Sequence, residues 1–469
     1  MLFLLALLPI LLVIAALLLR QSSTRAALAG IGTGAVVGVF WFGFDGGEAW
    51  SVLTQWWPII LEVLLIICGG IAFAEASRRT GAQEVLARWL RENLGTGVVP
   101  VLAIVHGVTP LAESLTGFGI GMAIGVPLLY GLGIGGRKAA TTGLLGLCIV
   151  PWGSMGPGTL IASHLAGVDF DALGAASAAI SLTVFLGTGI AAALIVAVPG
   201  ERLRGVLFAS CSALVLWGGV WGANLLFGTA PAGAVGAALV LVMHLVLRRA
   251  RGNRITLPAE VRRAGAAHVV LLGGVLSVAI TVRALGLASS GWHYLASPAL
   301  WLAIATLVAL RHHGGERRAT IRAAARSWTH VGPATGLFVL LGAVMSVSGM
   351  SAQIASTLTH LGSSYLALTP VLGGLGGFLA GSNSGANAMF AGPQAAAATT
   401  LGAPVLAVTA MQNVSGSMLI MASPARVEFA TRLCDDAPDK TPILRTVLAI
   451  NTTIVAVLAL LSALFIPTS

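Results

Sequence analysis

Apolar residues fill this chain in runs of about twenty, the length a helix needs to cross a bilayer. Uninterrupted runs lie near 2–19, 26–43, 53–74, 139–161, 171–197, 205–226, 231–247, 266–285, 296–310, 331–350, 403–424 and 442–466. They predict an all-α polytopic membrane protein with about twelve transmembrane helices. Two further apolar regions, 98–135 and 366–400, are broken in the middle by glycine and small polar residues. These predict re-entrant helical hairpins that enter and leave on one side, or, if each arm crosses fully, two further pairs of spans with the sidedness of the rest unchanged. Segment 75–94 follows another rule. Val85, Leu86, Trp89 and Leu90 recur at helical spacing among Arg and Glu. That pattern predicts an amphipathic helix at the membrane surface, either a sliding arm or a solvated linker.

Composition narrows the class. Of 469 residues, 57% are hydrophobic and 9% charged, against about 25% charged in a soluble domain. So few charges cannot cover a water-soluble globule, which excludes a soluble enzyme, a nucleic-acid binder and a disordered chain. The surroundings are a lipid bilayer. The net charge of +10 collects in clusters: Arg20 and Arg25; Arg78, Arg79, Arg88 and Arg91; Arg137 and Lys138; Arg248 to Arg263; Arg311 to Arg326. Basic loops face the cytoplasm, and the alternation places both termini outside, periplasmic or extracellular. The first run, 1–19, has no basic leader region and reads as a retained span. Cys68, Cys148, Cys211 and Cys434 are scattered and suggest no disulfide framework, metal site or cofactor.

The two halves resemble each other at an offset of about 265–270 residues. Gly81-Ala82-Gln83 answers Ser351-Ala352-Gln353, Leu94-Gly95 answers Leu361-Gly362, and Pro100-Val101-Leu102 answers Pro370-Val371-Leu372. By the charge rule the first copy starts outside and the second inside, so the repeat is inverted. This divides the chain into N-terminal helices (1–52), a first repeat (53–227), connecting scaffold helices (228–330) and a second repeat (331–469). Inverted repeats with discontinuous helices are the architecture of secondary transporters, with the site near the midplane.

Four polar breaks carry the candidate chemistry. They are 113–119, 151–158, 381–387 and 412–417. Non-helical backbone at membrane depth survives only inside protein or beside a water-filled cavity. It exposes helix N-termini, which attract anions. The candidate substrate-binding residues are Ser114, Thr116, Gly117, Gly119, Ser154, Ser382, Asn383, Ser384, Asn387, Gln412, Asn413 and Ser415. Exposed carbonyls at the same breaks could instead hold Na⁺, and glycines also serve close helix packing. Among ionisable groups, Glu113 is the first candidate for proton coupling, because burial penalises its charged form. Glu62, mid-span, and His106, which titrates near neutrality, follow it. Arg283 and Arg426 could bind a carboxylate or snorkel to the interface.

The stretch from Glu113-Ser-Leu-Thr-Gly-Phe-Gly to Pro127-Leu128-Leu129 and Gly131-Leu132-Gly133 resembles the L-lactate permease family. So do Pro151 to Gly158, Ala380 to Asn387 with Phe390 and Gln394, and Gln412 to Pro424. The resemblance implies a bacterial plasma (inner) membrane symporter that takes up lactate or glycolate with protons. It also implies kinship with transporters that move a hairpin-bearing domain as an elevator. The expected partners are a small carboxylate and a proton, with Na⁺ and a homodimer left open. The alternatives are another organic-anion carrier, an anion channel, and a membrane-embedded enzyme using Glu113 and His106. An inverted repeat serves alternating access and not catalysis, which favours a carrier over an enzyme.

Overall fold

A computed structural model describes residues 1–117, 119–286, 291–311 and 313–468. All regular secondary structure among the described residues is helical, without strands. Among the described residues, ten helices are long and apolar enough to cross a membrane, or up to twelve if each of two bent pairs counts as one span. The chain is therefore a multi-pass membrane protein. Phe118, within the first predicted break, lies outside the described residues.

The first half begins with α1 (Leu2–Leu18), α2 (Ser23–Trp41) and the long α3 (Gly46–Arg79). α4 (Ala82–Leu94) is the amphipathic segment, now a separate helix of 13 residues. α5 (Val98–Ala103) runs through a π-turn, Ile104–Val108, into α6 (Thr109–Thr116), and α7 (Ile120–Tyr130) returns alongside. α8 (Gly136–Leu145) leads through a 3₁₀ stretch, Gly146–Met155, to α9 (Pro157–Ala166). α10 (Phe170–Ile180) and α11 (Leu182–Val196) form one bent pair, and α12 (Arg202–Phe227) and α13 (Thr229–Ala250) follow.

The second half holds α14 (Ala259–Ala284), α15 (Pro298–Leu310), α16 (Arg317–Val347) and α17 (Met350–Leu358). Then come α18 (Tyr365–Ala380), α19 (Asn383–Thr400), α20 (Val405–Leu419), α21 (Pro424–Arg432) and α22 (Lys440–Phe465). α16 lies along α3, and together with α1, α2, α14 and α15 they share one apolar core. The α5–α8 region, α12, α13, α20 and α22 share another.

Both interrupted regions are antiparallel hairpins. In the first, a side chain on Gly121 would strike Thr109 and Glu113, and one on Gly125 would strike Thr109. In the second, Gly385 faces Ala380, Gly376 faces Phe390, and Gln394 donates to the Thr369 carbonyl at 3.2 Å. α22 shows how the hairpins are oriented. Near its start, Asp436 accepts from Gly136 N–H at 3.0 Å, at the exit of hairpin one. Near its end, Ser462 donates to the Leu366 carbonyl at 2.7 Å, at the root of hairpin two. Residues 440 and 462 are roughly 33 Å apart along the helix axis, so the hairpins are rooted at opposite ends of α22.

Two local expectations need correction. Residues 412–417 are not a break. They continue α20, and the chain leaves α-helical geometry only at Ile420–Ala422. Ser415 and Ser417 donate to the carbonyls of Met411 and Asn413, four residues back, which keeps them in the helix. Gly416 meets Gly377 backbone to backbone, so this glycine serves helix packing. In the third break only Gly381 and Ser382 are non-helical, and Asn383 to Asn387 form the first turns of α19.

Candidate functional site

Three discontinuities converge on one cavity of about 60 Å³. Hairpin one contributes Glu113 and Gly117. The broken helix contributes Gly153, Ser154, Pro157 and Gly158, and hairpin two contributes Gly381 to Ser384. Leu147 and Val150 of the 3₁₀ stretch, Ile420 just past α20, and Arg426 on α21 complete the wall. The N-terminal ends of α9 and α19 therefore face this space, where helix dipoles favour negative charge.

Hairpin one is shaped by Glu113. Its carboxylate, on a residue only 4% exposed, turns back across the tip. It accepts from Gly119 N–H at 3.0 and 3.1 Å and from Gly121 N–H at 3.1 Å. It thus caps α7 from within the hairpin. The tip needs glycine: Gly117 has φ +70° and Gly119 φ +86°. Arg426 packs against Gly119 so closely that a Cβ there would collide with its guanidinium. Arg426 is half-buried. Among the described residues it forms no ion pair within 4.0 Å. It still lies within electrostatic reach of Glu113.

Ser154 stands at the centre of the broken helix, where the axis bends by 70°. Its φ of +40° and the +66° of Met155 are left-handed values that L-residues avoid. The residue is 1% exposed, and its side chain, wedged between Gly70 and Gly117, has a hydroxyl without a hydrogen-bond partner among the described residues. Asn383 Oδ1 and Ser423 Oγ are likewise buried and unpartnered nearby. Strain and unpaired polar atoms gather at functional sites.

Behind the cavity is an amide network centred on Asn413. Its Oδ1 accepts from Asn383 and Asn387, each at 2.9 Å, and its Nδ2 donates to Thr159 and Ser177, each at 3.0 Å. Asn387 also donates to the Gly158 carbonyl at 3.0 Å, and Gln394 ties Gln412 to Thr369. The network joins hairpin two to the broken helix.

The sequence-derived residues therefore divide. Gly117, Ser154, Ser382, Asn383, Ser384 and Glu113 line the cavity. Gly119 is at the tip beside Arg426. Asn387, Gln412 and Asn413 lie in the supporting network. Thr116 donates within its own helix to the Ala112 carbonyl, Ser114 faces Gly233, and Ser415 faces Gly373. His106 is fully buried in the π-turn, 3.1 Å from Ser212 Oγ, with Gly189 packed on its ring. Glu62 is half-buried on α3 and lines no part of the cavity. Arg283 pairs with Asp171 at 2.7 Å and donates to the Leu225 carbonyl at 2.9 Å, a tie between helix ends. Thr159 and Ser177 escape sequence reasoning, since nothing local distinguishes them from helix-packing hydroxyls.

A family profile described as L-lactate permease matches residues 2–253 and 267–467. The chain belongs to the L-lactate permease family. It is 25% identical over 391 residues to an L-lactate permease of Streptococcus iniae, covering 75% of this chain and 80% of that one. L-lactate permeases of Salmonella typhi and Escherichia coli K12 are 35% identical over 95 residues. That match covers 20% of this chain and 17% of the length of those relatives. These family members carry the name of transporters, not of enzymes.

Proposed function

We propose that this protein carries a small hydroxy-monocarboxylate, lactate or glycolate, across a bacterial plasma membrane by proton symport. The observation that carries the reading is Arg426: a half-buried guanidinium on the cavity wall without an ion-pair partner among the described residues. A guanidinium offers a planar pair of N–H donors matched to a carboxylate. The adjoining N-termini of α9 and α19 add positive potential. Ser154 Oγ and Asn383 Oδ1 are within the same site and suit a hydroxyl on the neighbouring carbon.

Glu113 gives this arrangement a means of coupling. As a carboxylate it occupies the amides of α7 and shares its charge with Arg426. A substrate carboxylate entering beside it meets a like charge. A proton on Glu113 removes that repulsion and leaves Arg426 to the substrate. Proton and anion then favour each other's binding, and the linkage is reciprocal.

The order of elements supports alternating access between inverted repeats. Each half has a long helix containing proline (Pro58 in α3, Pro333 in α16), a left-handed glycine (Gly81, Gly349) and a short helix. Each continues with a hairpin and a helix that changes course at a 3₁₀ stretch. The hairpins rooted at opposite ends of α22 fit such a repeat, with termini outside and hairpin motion as an elevator.

Uptake by purified protein in liposomes tests the proposal. Labelled lactate should accumulate under an inward proton gradient and exchange in counterflow. Accumulation that follows a Na⁺ gradient alone, or flux without counterflow, would overturn it.

A further inference from the structure

A second site lies away from the transport cavity, at the root of hairpin one. Arg204 on α12, Arg248 at the end of α13 and Arg251 just beyond it surround a cavity of about 170 Å³ together with Thr96, Phe208 and Glu201. The guanidinium carbon of Arg204 is 5.6 Å from the centroid of the Phe208 ring, and that of Arg251 is 6.0 Å away. One ring thus orients two cations. Arg248 is held by donating through Nε to the Asn93 carbonyl at 3.2 Å, and its guanidinium lies against Gly95. None of the three forms an ion pair within 4.0 Å among the described residues. Three guanidiniums with a single carboxylate leave an excess of positive charge fixed around an open space.

We propose that this pocket binds the phosphodiester headgroup of an anionic phospholipid. Converging guanidiniums suit phosphate oxygens. A lipid is favoured over a free phosphate by what adjoins the pocket. α12 starts here and α13 ends here, and both carry exposed apolar side chains within about two turns of these ends: Leu203 and Leu207 on α12, Val242 and Val246 on α13. An acyl chain continuing from the headgroup would run along the apolar surface of these two helices. The pocket is on the arginine-rich side of the membrane, where anionic headgroups and basic side chains meet. Gly97 to Pro100, the entry into hairpin one, form part of the wall, so a bound headgroup would brace the root of the hairpin.

The test compares ligands by native mass spectrometry and thermal unfolding of delipidated full-length protein. The probes are phosphatidylglycerol, phosphatidylcholine of the same chain length, and inorganic phosphate. Phosphatidylglycerol should be retained and should raise the melting temperature, while the other two should not. The double variant Arg204→Gln/Arg251→Gln should bind phosphatidylglycerol about tenfold more weakly or worse. Arg249→Gln/Arg254→Gln, equally basic positions that do not line the pocket, should leave binding unchanged. If the first variant does not fold, Phe208→Leu, which removes the ring but keeps all charges, should weaken binding in the same direction. Equal stabilisation by inorganic phosphate would overturn the lipid assignment. Equal retention of phosphatidylcholine, or equal losses in the two double variants, would overturn the site.

Discussion

Arg426 and Gly119, 307 positions apart in sequence, are in such close contact that no side chain fits between them. The amide of that same glycine donates to both oxygens of Glu113. One residue without a side chain therefore separates Arg426, which has no ion-pair partner among the described residues, from the buried carboxylate of Glu113.

Gly119→Ala tests this contact. The substitution strains a φ of +86° and drives a methyl group into Arg426. Left-handed strain alone is of order 1–3 kcal/mol. Gly133→Ala is the control, since its φ is +79° with open space around its Cβ position. Both variants should lose some thermal stability, but only Gly119→Ala should lose more than about tenfold in lactate affinity. Similar affinity in the two would remove the Arg426 contact from the site.

Arg426→Gln removes the charge and keeps much of the length. A hydrogen bond to a charged group contributes about 1.5–3 kcal/mol, so binding should weaken by at least about tenfold. Arg426→Lys keeps the charge without the planar fork and should recover only part. Isothermal titration with lactate reads both. Full affinity in Arg426→Gln would place the substrate carboxylate elsewhere.

Glu113→Gln mimics the protonated carboxyl while leaving an oxygen for the α7 amides. Counterflow of lactate should persist, and accumulation driven by a pH gradient should disappear. Accumulation that still follows the imposed gradient would move coupling away from Glu113. Glu62 is then the next candidate and His106 the one after it.

Asn413→Ala should act on stability before affinity. It leaves amide and hydroxyl groups of Asn383, Asn387, Thr159 and Ser177 without a shared partner. Each orphaned buried polar group costs about 1–3 kcal/mol, so a large fall in melting temperature is expected. Ser154→Ala removes a hydroxyl that has no protein partner among the described residues. It should leave the melting temperature nearly unchanged and weaken lactate binding. The opposite pattern in these two variants would exchange the roles of network and cavity wall.

Much was legible in the sequence because bilayer physics acts on composition and local pattern. Twenty-residue apolar runs, arginine-rich loops and paired glycine-rich interruptions determine the class, the spans and the positions of both hairpins. Glu113 stands out as a carboxylate inside an apolar run. The sequence could not separate glycines that break a helix from glycines that let helices touch. Residues 412–417 have the composition of a break, yet Gly416 packs on Gly377 and the serines bond within the helix. That difference depends on which helix passes nearby. The same limit applies to Arg426, which the sequence sets beside Arg283 as an arginine near a helix end that could bind a carboxylate or snorkel to the interface. Only the fold carries it to the tip of a hairpin some 300 residues earlier, while Arg283 is tied to Asp171. Local pattern determines which segments cross the membrane. Long-range packing decides which polar groups meet inside it, because those contacts join residues that no local period connects.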